Sequence, residues 1–166
     1  MSTLKVDTIQ TVAGAEQARL VQVEHTMSVA ESSGTTVIVY DDTKMTSSEG
    51  NEFLTRTITP TNSSNILYVE GSIQVGFNGS SIAALVGLFQ DSIGDSLAAW
   101  DGNIDDANTT LSIPFHYQMA AGTTSQIEFK IRAGSNTGGT FFMNKGNASL
   151  WGGVVTSMLK VIEVRV

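Results

Sequence analysis

Thr110-Leu111-Ser112-Ile113-Pro114-Phe115-His116-Tyr117-Gln118-Met119 is the stretch from which the fold is read. Leu111, Ile113, Phe115, Tyr117 and Met119 fall on one side of an extended chain. Thr110, Ser112, Pro114, His116 and Gln118 fall on the other. Successive side chains of a strand point to opposite faces, so this alternation predicts a strand with one packed and one wet face. Ile127, Phe129 and Ile131, set against Gln126, Glu128, Lys130 and Arg132, repeat the pattern after the turn Ala121-Gly-Thr-Thr124.

The same period recurs along the rest of the chain. Leu67, Val69, Gly71, Ile73, Val75 and Phe77 make the longest single face, and Asn78-Gly79 after it is a hairpin signal. Residues 81–89 are apolar on both faces; length leaves a short buried helix open, but flanking turns and Gly87 favour a central strand. Val21, Val23, Met27 and Val29 alternate with Gln22, Glu24, Thr26 and Ser28, which places His25 on the apolar side of a strand. Glu31-Ser-Ser-Gly34 reads as a turn before the β-branched run 35–39. Residues 53–59 form another strand, stopped by Pro60. Residues 91–108 are the least regular part. A strand is expected to begin at 147–151, and the chain closes on 154–166, with Met158, Ile162 and Val164 on one side and Leu159 and Val161 on the other. Eight to ten short strands at this spacing predict an all-β fold, a two-sheet antiparallel sandwich of the jelly-roll kind.

The first residues differ from the rest. Leu4, Val6, Ile9 and Val12 are apolar but follow neither the strand nor the helix period. They read as an extended peg that docks on something outside its own fold, while residues 15–20 read either as a helical turn or as the start of a strand. The expected organisation is an attachment segment, 1–19, and a β-sandwich, 20–166.

Composition bounds the function. Of 166 residues 41% are hydrophobic and 15% charged, which is globular rather than disordered. A formal net charge of -7, with Lys and Arg scattered singly, argues against nucleic acid as a partner. No apolar run approaches the ~20 residues of a membrane span, so no membrane partner is expected. Cysteine is absent, which removes disulfides, thiolate nucleophiles and Cys-ligated zinc. The wet strand faces carry Ser, Thr, Asn and Gln rather than Lys and Glu, a surface suited to partial cover by identical copies.

Motifs that carry chemistry are weak. His25 and His116 are the only histidines, and neither has a second ligand at metal spacing. Asp101, Asp105 and Asp106, with Asn103 and Asn108, offer oxygen ligands that would suit calcium, but without the closing Glu and turn glycine of the known calcium loop. A solvated acidic loop is the plainer reading. No serine has glycines two residues away on both sides, and Gly138-Gly139 and Gly152-Gly153 precede no helix. Trp100 and Trp151 could stack on a sugar ring, although burial is the commoner fate of tryptophan in a sandwich. No enzyme and no cofactor are expected. Trp100, Asp101, Asp105 and Asp106 stand as a candidate glycan or ion loop.

The opening Met1-Ser-Thr-Leu-Lys-Val-Asp-Thr-Ile-Gln10 resembles the N-terminus of bacteriophage tail-fibre and related virion surface proteins. The body is similar to a recurrent phage β-domain through Phe53-Leu-Thr-Arg-Thr-Ile-Thr-Pro60, Ala84-Leu-Val-Gly-Leu-Phe-Gln-Asp-Ser92, Ala120-Ala-Gly-Thr-Thr124, Phe129-Lys-Ile-Arg-Ala-Gly134 and residues 152–163. The resemblance implies a homotrimeric jelly roll, similar to tumour-necrosis-factor-like knobs, located in the virion. It implies anchoring to other virion proteins, of tail or capsid, through Leu4, Val6, Ile9 and Val12, and a host surface glycan as a further partner. A long repetitive shaft is missing, so a short tail fibre or spike stands beside a capsid decoration protein, and beside a free carbohydrate-binding module. Strands apolar on both faces have one face spare, which nominates Leu85, Phe89, Leu159 and Val161 for the subunit interface.

Overall fold

The computed structural model describes residues 19–79 and 81–165. Ten strands follow in order: β1 (Arg19–Ser28), β2 (Ser32–Gly34), β3 (Asn51–Ile58), β4 (Ile66–Phe77), β5 (Ile82–Gln90), β6 (Ala98–Ile104), β7 (Leu111–Ala120), β8 (Ile127–Ser135), β9 (Phe141–Met143) and β10 (Ser157–Arg165). The expected attachment segment lies outside the described residues except for Arg19, which opens β1.

Every pairing is antiparallel. β1, β10, β4 and β7 form one sheet, to which β9 and β2 are added beyond the end of β10; β3, β8, β5 and β6 form the other. Setting aside the two three-residue strands, the pairs nest: first with last, second with second-last, and so inward to β5 with β6. That nesting is the jelly roll. It makes every connection but β5–β6 among these strands cross between sheets. Asn78-Gly79 therefore passes the chain from one layer to the other and is no hairpin, and neither is 121–124.

The core lies between the layers. Leu67, Val69, Ile73, Phe115, Leu159 and Val161 from one sheet meet Leu54, Val86, Leu88, Phe129 and Ile131 from the other. Burying each such side chain contributes roughly 1.5–3 kcal/mol. The half-buried Trp100 closes this core at its β6 side, its ring 5.8 Å from that of Phe115.

The structure departs from several expectations. Leu159 and Val161 face the core, each 0% exposed, so a neighbouring copy has nothing of them to cover; Met158, Lys160 and Ile162 take the outer face instead. Leu85 and Phe89 do face outward from the core, but Ile38 and Met45 of the same chain cover them. The apolar face of β1 points to solvent: Val23 and Met27 are exposed, while Gln22 and Thr26 turn inward and donate to the carbonyls of Thr59 and Thr55. β1 is an edge strand, where the gap between layers meets water and polar side chains close it. Run 35–39 forms no strand, whereas the turn cluster before it supplies β2. Residues 147–150 form no strand either, and Trp151–Gly153 is one 3-10 turn that leaves Trp151 exposed. The irregular part, 91–108, contains β6.

Candidate functional site

Two surfaces stand out, one on the outside of each sheet. The first is the outer face of β1, β10, β4 and β7. Register places Leu20, Val164, Ile66 and Ala120 in one row, and Val23, Ile162, Tyr68 and Gln118 in the next. A third row is His25, Lys160, Glu70 and His116; a fourth is Met27, Met158, Ser72 and Pro114. Lys160 Nζ lies 2.6 Å from Glu70 Oε1. Leu20 is 60% exposed, Val23 41%, Met27 62% and Tyr68 37%. Single exposed apolar residues are ordinary, but adjoining ones make this face a candidate contact surface.

The second surface lies over β8, β5 and β6. Residues 35–46 cross it as a strap. Ile38 N donates to Ser135 O at 3.0 Å, Val39 N to the Glu49 carboxylate at 2.8 Å, and Ser96 N to Met45 O at 2.8 Å. Arg132 holds the return of the strap, donating to the carbonyls of Glu49 and Gly50 at 2.9 and 2.8 Å. The strap sits this close because two outward positions of the sheet lack a Cβ: one on Gly87 would meet Met45 Sδ at 2.5 Å, and one on Gly134 the Thr36 carbonyl at 2.8 Å. Ile38 and Met45 anchor it, burying Leu85 and Phe89.

Between those anchors the strap lifts, and a cavity of about 160 Å³ opens beneath it. Ile38, Met45, Leu85 and Ala99 line it together with Tyr40, Asp41 and Asp101. Tyr40 Oη donates to Asp101 Oδ2 at 3.4 Å, across the mouth. Asp41 Oδ1 accepts from Thr43 N at 2.8 Å and Thr43 Oγ1 at 2.6 Å, and those hydrogen bonds hold its carboxyl below the usual range. A neighbouring cleft of about 340 Å³ between β6 and β7 shares Ala99, Trp100 and Asp101 with the cavity and adds Leu111 and Pro114.

The predicted glycan or ion loop is thus divided. Trp100 and Asp101 lie on β6, Trp100 turned into the sandwich and Asp101 turned out under the strap. Asp105 and Asp106 lie past the end of β6, and Asp106 is spent on its own turn, accepting from Asn108 N at 2.7 Å. Among the described residues no group of three or more His, Asp or Glu is placed to hold a metal ion. His25 and His116 stand in one row but on outer strands of the sheet, separated by Lys160 and Glu70. Sequence reading missed Tyr40, since nothing in the run 35–46 announces that it folds over a strand 40 residues on. The paired outward glycines are its one trace.

No family model matches the chain, and no curated protein matches it. Among solved structures it is similar to Eiger TNF from S. frugiperda, at 11% identity over 89% of this chain and 94% of that one, with a TM-score of 0.48. It is similar to the EclA C-terminal domain, a sugar-binding protein, at 18% identity over 84% and 87%, with a TM-score of 0.41. It is also similar to a protein of infectious bursal disease virus, Gx strain, at 11% identity over 99% of this chain and 44% of that one, with a TM-score of 0.38. At these identities and scores nothing about function passes from them to this chain.

Proposed function

We propose that this chain is a bacteriophage virion structural protein, a homotrimeric β-knob fixed to the particle by residues 1–19 as a short tail fibre or spike. The observation that carries the reading is the outer face of β1, β10, β4 and β7, where Leu20, Val23, Met27 and Tyr68 stand exposed around the half-buried Ile162. Copies of the chain packed on this face would remove that apolar surface from water and add stability that a chain without disulfides otherwise lacks. The resemblance of Met1 to Gln10 to virion attachment segments supports the anchoring role.

The test has two parts. Sedimentation equilibrium of the purified chain should give three times the 17.6 kDa protomer mass, and a stable monomer overturns the assembly. Deleting residues 2–14 should leave that oligomer intact while abolishing its incorporation into particles. Unchanged incorporation removes the anchor from the reading.

A further inference from the structure

From the cavity beneath the strap, we infer that this chain holds a neutral pyranose ring of an oligosaccharide between Tyr40, Asp101 and the apolar floor of Ile38, Met45 and Leu85. A pyranose has an apolar C–H face and a belt of hydroxyl donors, and the cavity is divided in the same way. Its floor is aliphatic, and its rim is made of acceptors, Asp41, Asp101 and the Tyr40 hydroxyl. At about 160 Å³ it is smaller than the ~300 Å³ at which drug-sized sites begin, so it takes one ring and not a nucleotide. The cleft beyond Asp101 gives the next ring of a chain somewhere to lie.

Asp101 is the part of the rim most open to a ligand, since Asp41 Oδ1 is already held by Thr43. The Asp101 side chain is exposed and takes a single hydrogen bond among the described residues, at 3.4 Å, well beyond the roughly 2.7–2.8 Å of a good hydroxyl contact. Neither Asp41 nor Asp101 is in an ion pair with any described residue. Tyr40 is 65% exposed, and its ring needs little ordering to cover a sugar. The charge selects as well. A sialic or uronic carboxylate would meet further carboxylates at the rim with no cation of the described residues beside them, whereas an aliphatic ammonium would leave the apolar floor without a partner.

The site lies within one chain, on the sheet opposite the proposed trimer face, so a monomer that binds sugar, or a trimer that does not, separates the two readings. The probe is an array carrying neutral hexose and N-acetylhexosamine oligosaccharides beside sialylated and uronic-acid ones, followed by calorimetric titration with the best neutral oligosaccharide. Neutral glycans should bind, with a dissociation constant on the order of 1 mM or below. Tyr40→Ala and Asp101→Ala, each checked for an unchanged circular dichroism spectrum, should weaken binding about tenfold or more. Trp151→Ala, at an exposed aromatic remote in sequence from the strap, should leave it unchanged. Binding of no neutral glycan, binding of acidic glycans alone, or binding that survives both strap-site variants or is lost in Trp151→Ala overturns the site.

Discussion

Asn65 Nδ2 donates to Glu163 Oε1 at 2.5 Å although 98 residues separate them. The same carboxylate accepts from Gln22 Nε2 at 2.6 Å, from Thr61 N at 2.8 Å and from Thr61 Oγ1 at 2.8 Å. Glu163 is 0% exposed. A buried carboxylate is costly unless its oxygens are paired, and here donated hydrogen bonds satisfy them. It ties β1, the turn before β4 and β10 to one another at a corner of the sandwich.

Glu163→Gln keeps the shape but points an amide at groups that are already donors. Losing charge-assisted bonds and leaving a buried donor unpaired should cost about 2–3 kcal/mol, a fall in Tm of roughly 5–10 °C, readable by calorimetry.

Acid should expose the same lock. Burial pushes the carboxyls of Glu163 and Glu49 up, but hydrogen bonds from Asn65, Gln22 and Thr61 to the first, and from Thr46 and Val39 to the second, leave both below the ordinary 4.5. A folded value below the unfolded one contributes stability that is fully present above about pH 4.5 and is lost as pH falls through the folded values. Urea unfolding followed between pH 7 and pH 3 should show stability flat at first and then falling, and Glu163→Gln should flatten that fall.

Two glycines should respond differently to alanine. A Cβ on Gly71 would lie 2.0 Å from the Met158 carbonyl, which is backbone of a paired strand and cannot give way. Gly71→Ala should cost about 3 kcal/mol or more. A Cβ on Gly87 would meet the Met45 thioether at 2.5 Å and the buried Phe89 ring at 2.9 Å, side chains rather than backbone, so Gly87→Ala should cost less than Gly71→Ala, about 1–2 kcal/mol, and shift the strap. Denaturant midpoints for the pair measure the contrast.

Asn144 combines a left-handed backbone, φ 63°, with a buried side chain that donates to the carbonyls of Ser28 and Ala30 at 2.8 and 3.0 Å and accepts from Ser157 Oγ at 2.7 Å. Asn144→Gly relieves the backbone and removes the bonds; Asn144→Ala removes the bonds alone. Both should destabilise by about 2–4 kcal/mol, Ala by about 1 kcal/mol more than Gly.

Core and outer face should part under mutation. Leu159→Ala opens a hole between the layers and should cost about 2–5 kcal/mol at any protein concentration. A Val23→Glu, Ile162→Glu double variant, on the outer face, should dissociate the proposed trimer while the dissociated chain keeps its strand spectrum. Sedimentation read beside circular dichroism distinguishes the two effects.

Much of the architecture was legible because side-chain period and strand geometry share a register of two. The faces of β4, β7 and β8 were readable from Val69, Phe115 and Phe129 alone, and β5 from its apolar run. The faces of β1 and β10 were misassigned for one reason: alternation shows that two faces differ, and apolarity names the buried one only where the other is wet. On β1 the apolar face is the outer one, and on β10 both faces are apolar enough to pass for core. The candidate site was half legible. Trp100 and Asp101 were in view, but their partners Tyr40 and Met45 arrive from a strap that no local period betrays.

Composition and local period, which depend on residues a few positions apart, therefore settled the strand-rich class, the layered core and the absence of cysteine chemistry. Which layer each strand joined, which apolar face met water, and which carboxylate came to rest beside Tyr40 depend on contacts between residues tens to over a hundred positions apart. Those contacts form only when the nested pairs of the jelly roll close, because loop closure and register, rather than any short run of side chains, choose the neighbours.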